Sequence, residues 1–226
     1  MASLHRVLGL LLGLVALVLS LWTLWDLILM LSTQAAPMVV TDVPCCGRYF
    51  CSLLWNFFLL SLFVVQHSGM SCDAWKTFLN RVGVENHRPL FVLCSCVVLL
   101  LLVHQMSPLP GPLLWYFDPR EYPTLWLGVF LFHCAMWLVI CAGAVAFEPL
   151  ELVGLKQVDT QQEGAPPQPV DGRIYSRHLG VAAFVAILWL QMAMSVERCF
   201  LALSWTLYVL FGHRAHPSAI YVVKNT

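Results

Sequence analysis

The chain has 226 residues, 60% of them apolar and 11% charged, against about half apolar and about a quarter charged in an ordinary soluble domain. Twelve Lys and Arg balance twelve Asp and Glu, so no overall field recommends nucleic acid as a direct partner. The mean hydropathy is +0.78 and no polar segment is long enough to fold alone, which leaves lipid as the surroundings of the surplus apolar surface.

A bilayer-spanning helix needs roughly 20 apolar residues. The first candidate covers about 7–31, after His5 and Arg6. Its apolar run exceeds the ~7–15 residues of a signal peptide, so a retained helix is expected. Within it, "GLLLG" at 9–13 spaces two glycines for close helix contact. Further spans read at about 49–66, 89–106, 124–147, 179–196 and 199–212. As one helix the last two would reach ~50 Å, far beyond a ~30 Å hydrocarbon core. A tight hairpin turning at Ser195–Arg198 avoids this. The expected fold is all-α: a polytopic transmembrane bundle of about six helices, the last two a hairpin, in a single membrane domain over 1–226.

The connections differ in character. "SPLPGPLLWYFDPREYP" at 107–123 is rich in Pro and aromatics and reads as a non-helical loop at the membrane interface. "DTQQEGAPPQPVDG" at 159–172 has the composition of a flexible linker. With six spans, nine Lys and Arg fall on one side: Arg6, Lys76, Arg81, Arg88, Lys156, Arg173, Arg177, Arg214 and Lys224. Arg48, Arg120 and Arg198 make three on the other. The excess places the linker and both termini on the cytosolic or nucleoplasmic side. The sequence shows no internal repeat, against an inverted-repeat transporter.

The nine cysteines include no CxxC, so neither a zinc site nor a thioredoxin-like pair is expected, and no metal ligand set is assigned. Most read as small apolar side chains; Cys45, Cys46 and Cys51, near one membrane face, could form a disulfide or carry palmitate.

Ionisable and amide groups at membrane depth are costly, so each calls for a partner or a role. Asp26, late in the first span, is placed to reach interfacial water. Asn56 in the second span and His133 near the middle of the fourth read as interhelical hydrogen-bonding groups. A water-filled path touching all three would instead argue for a channel. His67, His104, His178 and His213 fall near helix ends, which leaves His133 without a partner for a bis-His haem.

Three stretches meet on the cytosolic face: "VQHSGMS" at 65–71, "AFEPLELVGLKQV" at 146–158 and "YSRHLG" at 175–180. Gln66, His67, Ser68, Glu148, Glu151, Lys156, Arg177 and His178 could converge there on a pocket for a polar cofactor. They serve equally well as caps and interfacial anchors. Ser68 directly follows His67, and neighbours in sequence do not face one another on a helix, so a Ser–His dyad is not indicated. There is no G-x-S-x-G, HExxH, Walker loop or GxGxxG.

These stretches resemble the nurim family of multi-pass inner nuclear membrane proteins. The resemblance is carried by "LFVVQHSGMSCDAWK" at 62–76, "GPLLW" at 111–115, "EPLELVGLKQV" at 148–158 and "LSWTLYVLFGH" at 203–213. It implies a structural or interaction role in the inner nuclear membrane and endoplasmic reticulum, without catalytic residues or a cofactor. The bilayer and other nuclear envelope proteins would be its partners.

That family in turn resembles the isoprenylcysteine carboxyl methyltransferases, in which an Arg-His-Pro motif opens a helical hairpin that binds S-adenosylmethionine. Arg177-His178 matches the Arg-His, while the proline position holds Leu179. After the second arm the chain reads "HRAHPSAIYVVKNT", without the acidic residues of the enzyme pattern. The alternative that this resemblance implies is a membrane methyltransferase using S-adenosylmethionine, with His67, Glu148, Arg177 and His178 lining the cofactor. A sulfonium with an amino-acid headgroup needs fixed partners of both signs. Loss of the proline and of the later acidic groups therefore weighs against a working site.

Overall fold

A computed structural model of the chain describes residues 2–32, 46–82, 87–109, 113–146 and 171–214, with backbone alone at 2–6, 46, 146, 171–178 and 212–214. Its helices are α1 (Ala2–Ser32), α2 (Cys46–Ser71), α3 (Asp73–Arg81), α4 (Arg88–Gln105), α5 (Pro123–Ala146), α6 (Asp171–Trp189) and α7 (Val196–Arg214). Two two-residue strands, β1 (Trp115–Tyr116) and β2 (Ala193–Met194), pair antiparallel with Trp115 opposite Met194. The architecture is an all-α membrane bundle.

Among the described residues, four helical stretches are long and apolar enough to cross a bilayer: Val7–Ser32, Gly47–Ser71, Arg88–Gln105 and Pro123–Val145. In each, only 17% of the most apolar window is buried within the protein, so most of the apolar surface is left for lipid. Trp22, Trp25, Phe57 and Leu138 are among the exposed residues. In water such a surface would be an aggregation liability; in a bilayer it is the lipid-facing belt.

The hairpin arms α6 and α7 differ in kind. The apolar part of α6 is Leu179–Trp189, about 16 Å of helix and short of a full crossing by itself. Ala183, Ile187, Leu188, Leu201 and Ala202 are buried, and the central cluster joins several of them to Leu27, Leu31, Leu60, Leu102 and Trp137 from four other helices. The hairpin is thus the hub of the bundle, surrounded by protein more than by lipid. This explains why its sequence is less apolar than the outer helices.

The turn of that hairpin lies earlier than expected. The helix ends at Trp189 and the chain reverses through Leu190–Ser195, so Glu197 and Arg198 belong to the first turns of α7. The reason is tertiary. Leu114 N–H donates to the Met194 carbonyl (2.8 Å) and Phe117 N–H to the Met192 carbonyl (3.0 Å), taking backbone groups that a longer α6 would have used internally. Nothing in the apolar string "LQMAM" at 190–194 announces that exchange.

The expected linker at 159–172 overlaps the start of α6 at Asp171 and Gly172; the rest of it lies outside the described residues. In α1, Gly13, Ala16 and Thr23 are buried on one helical face, spaced by three and seven residues. The Thr23 hydroxyl donates to the Leu19 carbonyl of its own helix (2.7 Å). Of the two glycines of "GLLLG", Gly13 lies on this buried face and Gly9 is half-buried.

Candidate functional site

Polar side chains gather at two levels of the bundle. The first is the end where α2 finishes and α4 begins, which holds His67. Its Nδ1 lies 3.4 Å from the Ser95 hydroxyl of α4, and its ring stacks on Phe63 (5.4 Å) and meets Phe91 (5.0 Å) and Tyr208 (6.4 Å). Gln66 donates to the same Ser95 hydroxyl (3.3 Å), and Ser68 shares a hydrogen bond with the Tyr208 hydroxyl of α7 (3.1 Å). His67 and Ser68 thus turn to different partners, as adjacent helical residues must.

Of the four residues expected to line a cofactor, only His67 has a described side chain. Glu148 lies outside the described residues, as do the side chains of Arg177 and His178, whose backbone is helical within α6. Chain direction still locates the pair: α6 and α7 run as a hairpin, so the start of α6 lies towards the Tyr208 end of α7, which touches Ser68. Ser95 and Tyr208 were not singled out from sequence. A lone Ser in "CSC" and a Tyr in an apolar helix carry no local signal of shared contact.

The second level is a set of buried polar contacts around the hairpin turn. His133, 3% exposed, bridges α1 and the hairpin turn from α5. Its Nε2 lies 2.7 Å from the Leu190 carbonyl and its Nδ1 lies 3.2 Å from the Ser32 hydroxyl, which also accepts from the Trp137 indole at 2.9 Å. A carbonyl can only accept, so the hydrogen sits on Nε2 and Nδ1 accepts from Ser32. The chain of donors runs Trp137 to Ser32 to His133 to Leu190, and every member is satisfied by the neutral tautomer.

Arg198 donates from Nη1 to Gln191 Oε1 (3.0 Å) and from Nη2 to the Met30 carbonyl of α1 (3.4 Å). The Gln191 carbonyl accepts from the Trp115 indole (2.8 Å), and Glu197 accepts from Leu109 N–H (3.3 Å). Together these bonds fasten both connecting segments to the start of α7. A cavity of about 10 Å³ beside Met30, Gln191 and Arg198 has room for one water at most.

Asn56, 1% exposed, binds Ser107 through both ends of its amide: Nδ2 donates to the carbonyl at 2.7 Å and Oδ1 accepts from the N–H at 2.8 Å. Asp26 accepts from the Trp22 indole (2.8 Å) and from His104 Nε2 of α4 (3.0 Å). Asp26, Asn56 and His133 therefore hold three separate sets of partners. None of the three lines the small cavity.

Among the described residues no group of three or more His, Cys, Asp or Glu is placed to hold a metal ion. Cys51 is an exposed free thiol, while Cys45 and the Cys46 side chain lie outside the described residues.

Helices of this length and apolarity, with polar groups turned inward onto one another, define a multi-pass integral membrane protein. Comparison with known proteins narrows the class. No protein-family model matches, and no solved structure matches. The chain is 34% identical to nurim of Rattus norvegicus over 172 residues, 72% of this chain and 65% of that protein. It is 33% identical to nurim of Homo sapiens over 171 residues, 71% and 65% of the two chains. The nurim homolog of Drosophila melanogaster is 28% identical over 155 residues, 65% of this chain and 61% of that one. The chain spans 65% of the mammalian relatives' length. It belongs to the nurim family.

Proposed function

We propose that this protein is a structural or interaction component of the inner nuclear membrane and the adjoining endoplasmic reticulum, with no catalytic step of its own. Its partners are the bilayer and other nuclear envelope proteins, and both termini face the cytosol or nucleoplasm. Family membership supports the address, and nine Lys and Arg against three support the orientation. The observation that carries the role is the second polar level. His133, Asn56, Gln191 and Arg198 each bind another part of the bundle, as groups that brace a scaffold do. A tagged full-length chain should remain at the nuclear rim and resist extraction by high salt. Residence at the plasma membrane, or release by salt alone, overturns the proposal.

A second reading, a membrane methyltransferase using S-adenosylmethionine, has one observation in its favour. His67, Ser95 and Tyr208 bring three helices together towards the level where α6 begins with Arg177 and His178. The His67 ring, however, is enclosed by Phe63, Phe91 and Tyr208. Calorimetry of S-adenosylmethionine with the purified full chain separates the two readings. Absence of binding at millimolar cofactor removes the enzyme reading. Saturable binding lost on Arg177→Ala replaces the scaffold reading with it.

A further inference from the structure

The helix α3 was not anticipated from sequence, and neither the bundle nor the scaffold role accounts for it. It follows α2 after one residue, Cys72, whose extended backbone (φ −71°, ψ 151°) interrupts the helical path. At about 100° per residue, Trp75, Phe78, Leu79 and Val82 fall within one ~100° stripe. Leu79 is buried against the protein, whereas Phe78 is 53% and Val82 64% exposed. The Trp75 and Phe78 rings pack together at 5.6 Å. On the same wheel Lys76 and Arg81 flank the stripe, one about 60° to either side, and Asp73, Thr77 and Asn80 take the opposite face. The Lys76 ammonium donates to the Asp73 carboxylate (2.9 Å) in an exposed pair, which leaves its other two N–H groups for headgroup oxygens.

The position along α2 sets the depth. With 26 residues, α2 is about 39 Å long against a ~30 Å hydrocarbon core. Its polar last turns, "QHSGMS" at 66–71, therefore lie in the headgroup layer, and α3 starts there. The last large apolar residue exposed on α2 is Val65, at 70%, just before these polar turns. In-plane helices of this kind rest an apolar face at the acyl boundary and extend long basic side chains to the phosphates.

We propose that α3 is an interfacial helix that binds phospholipid: Phe78 and Val82 enter the acyl boundary, and Lys76 and Arg81 meet headgroup phosphates. The two basic side chains then favour anionic lipid over zwitterionic lipid. This holds for whichever leaflet α3 faces, so it stands apart from the proposed address and orientation.

The test uses the full-length protein in nanodiscs of phosphatidylcholine and phosphatidylserine. A photocrosslinker is introduced as Phe78→p-benzoylphenylalanine or Val82→p-benzoylphenylalanine, with Thr77 and Asn80 as comparison positions. Mass spectrometry should find intact phospholipid adducts at 78 and 82 at least about fivefold above those at 77 and 80. In the Phe78 probe, adding Lys76→Gln and Arg81→Gln should lower the phosphatidylserine share of the adducts at least about twofold. Equal lipid yields at all four positions overturn the proposal. So do adducts at 78 that are mainly to protein, which would make the stripe a protein-docking face. An unchanged phosphatidylserine share overturns the assignment of Lys76 and Arg81 to the phosphates.

Discussion

His133→Leu tests the claim that the polar groups of the core brace the bundle. The substitution removes the donor to the Leu190 carbonyl and the acceptor of the Ser32 hydroxyl, at a site only 3% exposed. Side-chain hydrogen bonds between membrane helices contribute about 0.6 kcal/mol on average and about 1.7 at most. Two of them give about 1–3 kcal/mol. Leu is close enough in size to imidazole that no large cavity adds to this. At roughly 2–4 °C per kcal/mol for a chain of this size, the melting temperature in detergent should fall by about 2–12 °C. Ser32→Ala should cost less by itself, because His133 keeps its bond to Leu190, and the double variant should lose less than the sum. Thermal unfolding followed by size-exclusion profile and circular dichroism measures all three. If His133→Leu melts within about 1 °C of the parent, or if the two losses add fully, the Trp137–Ser32–His133–Leu190 relay is not a brace.

Other substitutions probe the remaining contacts. Asn56→Leu deletes both bonds to Ser107 and should destabilise by about 1–3 kcal/mol, since two partly buried backbone groups lose their partner; limited proteolysis should show faster cleavage in the 107–122 segment, and an unchanged rate would refute it. Arg198→Met removes the contacts to Gln191 and Met30 and should lower the yield of monodisperse protein, with a loss of about 2–4 kcal/mol. Gly13→Leu, on the buried face of α1, should cost about 1–3 kcal/mol by overpacking, whereas Trp25→Leu on the exposed face should change stability by less than about 0.5 kcal/mol. Equal effects of those two would show that the α1 faces are assigned the wrong way round.

The sequence by itself determined the class of protein. Long runs such as 7–31 and 124–147 cannot be folded in water, and their length alone selects helices that cross a bilayer. It also marked Asn56 and His133 as groups needing internal partners, because a polar side chain at that depth has no water to bind. What it left open was which partners. The Ser107 backbone and the Leu190 carbonyl are non-helical groups supplied by chain ends from other parts of the bundle, and no spacing along one helix encodes them. The same cause moved the hairpin turn from Ser195–Arg198 to Leu190–Ser195: pairing with residues 114–117 competed with the helix, and periodicity has no term for that contact. Arg198, which reads as a loop charge, became a half-buried clasp once the turn shifted behind it. The short α3 escaped notice because nine residues carry too few apolar positions to stand out beside spans of 18 or more. Local composition decides that a segment enters lipid; the identity of each buried partner is a property of the assembled bundle, set by which backbone groups the packing leaves unpaired.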